Sequence, residues 1–163
     1  MMLSYRLMRL IETHAEDLAD GLERKVMASP SLKDFRAIPS HELRERVYEI
    51  YRHLGDWLLG QNETHIEQRY REIGGRRAWQ KVPLAEVVLV IVLTKENLWD
   101  FLESDAVVDR AVEIMGELEL LQMLDRFFDH AIYFAAVGYQ EQLDKMRKGE
   151  GAQQTAVCSA ETK

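Results

Sequence analysis

The sequence predicts an all-α fold in a single domain, and three features predict it. Apolar residues recur at three- and four-residue intervals over most of the chain, the period of a helix buried along one face. The densest apolar run, Val87-Val88-Leu89-Val90-Ile91-Val92-Leu93, is framed by helix signals although its β-branched residues suit a buried strand. The remaining segments carry almost no strand alternation and are joined by short links. At 163 residues the chain is long enough for one self-sufficient core, and about five to six helices are expected.

The stretch from Gly74 to Leu102 organises the rest. Pro83 suits a first helical position, where its missing N–H is no loss, and Glu86 lies favourably in the first turn. Leu93, Leu98, Trp99 and Leu102 then recur at helical spacing, with Lys95, Glu96 and Asp100 between them. The reading is one central buried helix from Pro83 to about Leu102.

Upstream, Leu3 to Met27 reads as one amphipathic helix with Leu7, Leu10, Ile11, His14, Leu18, Leu22 and Val26 on its apolar face. Ala28-Ser29-Pro30-Ser31 breaks it, and Leu32 to Ile38 reads as a short helical turn capped by Ser31. Ser40 opens the next helix, with Leu43, Val47, Ile50, Tyr51, Leu54, Trp57 and Leu58 on one face, and Gly60-Gln61-Asn62 turns out of it. Glu63 to Ile73 is a more polar helix for which Gly74-Gly75 reads as the stop. A last helical pattern runs from a cap at Ser104 through Ala111, Leu118, Leu124, Phe128, Ala131 and Tyr139 to about Met146. Unbroken, it would reach on the order of 60 Å, so a break or bend is expected near Gly116. Residues 1–147 are thus read as the helical domain. Residues 148–163 lack apolar periodicity and read as a disordered tail.

Composition narrows the function classes. The chain is 47% hydrophobic and 30% charged, and its net charge of −7 disfavours non-specific attraction to nucleic acid or an anionic membrane. The longest apolar run is far shorter than a membrane span, no export signal is visible, and the single Cys158 is consistent with a reducing, cytoplasmic compartment.

Few residues suggest chemistry. No His pairs with Cys or another His at zinc spacing, and Glu63, His65 and Glu67 do not form the Glu-x-x-His pattern of di-iron bundles, so no metal is expected. No Gly-x-Ser-x-Gly turn or phosphate-binding loop is present, and the chain is read as a non-enzyme. No cofactor is expected; the alternative is a haem or small-ligand sensor with His65 or His130 as axial ligand. The plainer readings are an exposed His65 among charged neighbours and a His130 at the core edge beside Asp129 or Arg126. Arg76 and Arg77, with Lys81, form a basic cluster in an acidic protein: a plain link after a helix stop, or a contact for an anion or a partner. Phe127, Phe128, Tyr133, Phe134 and Tyr139 surround the last helix, which fits either a central helix or a second surface used in homodimerisation.

Two segments resemble a known family. Gly75, Arg77, Ala78, Pro83, Leu84, Glu86 and Val87 are similar to the glycine-then-Arg-Ala and Pro-Leu-x-Glu-Val segments of the RsbRD-type N-terminal sensory domain of stressosome RsbT co-antagonists. Phe127, Phe128, Asp129, Ala131, Gly138 and Tyr139 resemble the segment near that domain's end. The resemblance spans most of residues 5–145. It implies a bacterial helical signalling domain, a plain bundle or a non-haem globin-like fold, often dimeric and acting on a protein partner. The family's usual C-terminal STAS domain has no counterpart in this sequence, which makes a stand-alone sensor or adaptor the expectation.

Overall fold

A computed structural model describes residues 2–59, 63–104 and 111–160, with side chains for residues 8–55, 58, 64–104 and 118–151. The described residues form helices and turns only, as expected of an all-α domain. The turn expected at Gly60-Gln61-Asn62 lies outside them, as do the side chains of Leu7, Trp57, Ala111 and Cys158.

The first expected helix is present as two, α1 (Met2–Thr13) and α2 (Ala15–Ala28). The break is His14, at φ −99° and ψ 21°, whose ring nitrogen lies 2.9 Å from the Leu10 carbonyl and whose ring packs 5.3 Å from Phe101. Backbone hydrogen bonding bridges the break through His14 N to Leu10 O and Leu18 N to His14 O, each 3.0 Å. The apolar face therefore continues: Met8, Ile11, Ala15, Leu18, Leu22 and Val26 are all buried.

A 3₁₀ turn, Phe35–Ala37, follows, and Ser31 does not cap it. Its free N–H groups are taken by Glu86, as described below. The next expected helix is likewise split at His53 into α3 (Ser40–Arg52) and α4 (Leu54–Leu59). Leu43, Val47, Ile50, Tyr51 and Leu54 are buried as predicted.

Helix α5 (Glu63–Trp79) corrects the expected stop at Gly74-Gly75, which lie inside it. These glycines do not end the helix; they let another one approach. A Cβ on Gly74 would fall 1.9 Å from the carbonyl oxygen of Ala135, and one on Gly138 would fall 2.1 Å from that of Arg71. The actual stop comes at Lys81, whose φ of 61° is in the left-handed region. Val82 N donates to Arg77 O and Lys81 N to Ala78 O, the paired reverse bonds of a Schellman motif. Val82, the residue after the left-handed one, is buried and seals the motif.

Helix α6 (Leu84–Ser104) contains the whole Val87–Leu93 run, so the helical reading of that run holds. The Pro83 carbonyl accepts from the backbone N–H groups of Glu86 and Val87, at 3.0 and 3.2 Å. Val87, Val90, Ile91, Thr94, Asn97 and Leu98 are buried, and α6 packs against α2, α5 and α7. Ser104 ends this helix instead of capping the next, and its hydroxyl donates to Phe101 O.

Helix α7 (Ala111–Ala160) has no interruption near Gly116. A single interior glycine costs about 1 kcal/mol of helix propensity, which does not by itself break a helix packed on its neighbours. The backbone also stays helical to Ala160, across the stretch whose lack of apolar periodicity predicted disorder. Lys, Glu, Gln and Ala there are good helix formers, so helix needs no apolar face to continue. At 50 residues, α7 is about 75 Å long at 1.5 Å per residue. Its main partner is α5, and the two run in the same direction: Tyr70 meets Phe127, Gly74 meets Ala135, and Val82 meets Tyr139.

Candidate functional site

The basic cluster after Gly75 sits where α3, α5, α6 and the 3₁₀ turn converge. Arg77, on the last turn of α5, is turned inward and its side chain is only 3% exposed. Nη1 donates to Glu42 Oε1 at 3.1 Å and to Gln80 Oε1 at 2.7 Å. The guanidinium carbon lies 5.1 Å from the centre of the Phe35 ring, a cation–π placement. Arg76, one residue earlier, reaches the same Glu42 oxygen from outside at 2.8 Å, and Arg46 approaches it at 3.9 Å.

Three guanidinium groups thus converge on one carboxylate oxygen, with Glu45 and Glu49 lining the adjoining cleft. Burial depresses the Arg77 pKa, and the neighbouring Glu42 carboxylate opposes that shift. Arg46 is also held below its ordinary value, by burial first and then by the charges of Arg76 and Arg69. Arg77 Nε is buried with no hydrogen-bond partner.

Glu86 locks the other side. Its Oε2 accepts from Phe35 N at 2.7 Å and its Oε1 from Asp34 N at 3.4 Å. A buried first-turn carboxylate of α6 thus satisfies the free donors of the 3₁₀ turn and fixes the ring on which Arg77 rests.

Below this junction lies an apolar cavity of about 50 Å³, lined by Arg46 and Arg77 together with Ile50, Tyr70, Val90 and Phe128 among others. Thr94 also borders it, but its hydroxyl already donates to Val90 O. Beside it, an open polar cleft of about 300 Å³ is lined by Glu42, Glu45, Arg46, Glu49, Arg69 and Arg76.

The two histidine candidates lie elsewhere. His65 is exposed in a polar cleft with His53, Glu49 and Glu72. His130 is half-buried with its ring 6.2 Å from that of Phe134. Neither borders the apolar cavity. Among the described residues, no three His, Cys, Asp or Glu side chains are grouped as metal ligands.

Of the candidates named from sequence, the structure brings Arg76 and Arg77 together and leaves both histidines apart. Glu42, Glu86 and Arg46 were not singled out as members of this site. Glu86 carried a first-turn signal, but the partners that draw Glu42 and Glu86 into the site are 35 and about 50 residues away.

The chain is a member of the family described as the RsbT co-antagonist protein rsbRD N-terminal domain, which matches residues 12–154. That is a family of stressosome sensory and signalling domains. Comparisons with curated proteins and with solved structures gave no match. Among the described residues, no helix is long and apolar enough to cross a membrane.

Proposed function

We propose that this chain is a non-enzymatic cytoplasmic signalling domain that works by protein contact, with α7 as both its dimerisation and its output element. The observation that carries this reading is the distal part of α7. Residues 147–151 are all exposed, and a Cβ on Gly149 would meet nothing within 4 Å. A helix that leaves its own core with so little to bury is suited to a second copy or another protein. Tyr133, 62% exposed on the same helix, and Trp79, 68% exposed at the end of its partner α5, extend the available aromatic surface.

Light scattering on the full chain at high micromolar concentration should give the mass of a dimer. A chain ending at Lys148 should keep its helical circular dichroism and dissociate at least tenfold more readily. A monomeric full chain under those conditions would remove α7 as the dimer element.

A further inference from the structure

We propose that the cavity beneath Arg46 and Arg77 binds a short-chain monocarboxylate, its alkyl chain in the cavity and its carboxylate at the two arginines. The walls supply the first half of the argument. Ile50, Val90, Ile91 and Phe128 offer only hydrocarbon, the Thr94 hydroxyl is already spent on its own helix, and Tyr70 adds one phenol to an otherwise apolar wall. At about 50 Å³ the space exceeds the roughly 30 Å³ share of one liquid water and is well under the roughly 150 Å³ that admits benzene. That suits a tail of about two or three carbons.

The head group follows from charge. Arg46 and Arg77 bring two guanidinium groups to the cavity lining and share one oxygen of Glu42 with Arg76, while Glu45 and Glu49 lie in the adjoining cleft. Arg77 keeps a buried Nε without a partner, and the same residue lines the cavity. A carboxylate there would complete an unsatisfied donor with a charge-assisted hydrogen bond. A neutral amide or alcohol could accept the same hydrogen bond but would bring no charge to it.

The ligand would be the input of the signalling domain proposed above and rests on that reading for its meaning, though not for its measurement. Binding is read on the purified full chain by amide chemical shifts during titration with butyrate, with butyramide, propanol and sodium chloride as separate arms. Saturable shifts are expected with butyrate, concentrated at cavity residues such as Val90, Ile91 and Phe128. At least tenfold weaker binding is expected for butyramide and propanol. Equal response to butyramide would overturn the role of the arginines, and equal response to chloride would mean an adventitious ion only.

Arg46→Gln, at a partly exposed position, should weaken butyrate at least tenfold while the fold is retained. Val90→Phe should abolish binding by filling the cavity. If that variant unfolds, Val90→Leu, which adds about one methylene, should still weaken binding severalfold. Butyrate shifts unchanged in a folded Val90 variant would sink the proposal. Dimerisation is measured separately, so a chain that dimerises without binding butyrate fails here alone.

Discussion

Buried single groups govern how this domain responds to conditions. Tyr51 is fully buried and donates to Thr94 O at 2.8 Å, and burial pushes its phenol well above the ordinary range. Tyr70 is raised in the same direction, by burial first and then by the neighbouring Tyr51, with Arg69 opposing. In the unfolded chain both phenols ionise near pH 10, whereas the folded chain keeps them protonated beyond that. Their contribution to stability is therefore complete below about pH 10 and is lost as pH rises further, by up to about 1.4 kcal/mol per pH unit for each group. Denaturant unfolding at successive alkaline pH values should show this decline, and Tyr70→Phe should make it shallower by about half. A slope unchanged in Tyr70→Phe would contradict burial as its source. The same scale explains why Glu42 holds three arginines without being an inert surface pair: with Arg77 almost fully buried, removing the carboxylate would leave a desolvated charge behind.

Among elements, the contact of α5 with α7 is the most sequence-specific. Gly74→Ala places a methyl against backbone at 1.9 Å, which no side-chain movement relieves, so the helices must separate. We expect a loss of more than about 3 kcal/mol, at the upper end for single substitutions. Gly75→Ala next door meets its nearest atom at 3.5 Å, an ordinary contact, and should be neutral or stabilising by up to about 1 kcal/mol through helix propensity. Thermal unfolding of the two variants checks the contrast; similar losses at both sites would refute the close approach. The pair also shows what could be read in advance. Apolar periodicity located α2, α3 and α6 and most of their buried faces, because one-sided burial writes a 3.6-residue period into the sequence. It could not tell a glycine pair that ends a helix from one that receives another helix, since both read as Gly-Gly after a polar helix. Nor could it reveal that Lys81 takes the left-handed position usually given to glycine. Arg76 and Arg77 stood out as a local basic cluster, yet their meaning depends on Glu42, brought in from α3. The break at His14 carried no proline or glycine to announce it.

For the whole molecule, the proposed input and the proposed output would lie in separate places. The junction and its cavity lie where α3, α5 and α6 meet, whereas the far end of α7 stands clear of the core. The glycine crossing joins the two regions, because backbone rests on backbone at Gly74 and Gly138 with no interlocking side chains at that point. Such a contact behaves as a fulcrum. From Gly138 to the helix end at Ala160, α7 forms an arm of about 33 Å, so a tilt of about 5° at the crossing would carry its tip by roughly 3 Å. Spin labels placed at Met27 and Gly149, both exposed, would register that swing as a distance change on addition of butyrate. An unaltered distance would mean that α7 transmits nothing by tilting. Two missing β-carbons would then act as a mechanical gain, converting a displacement too small to open the core into one that a neighbouring protein can feel.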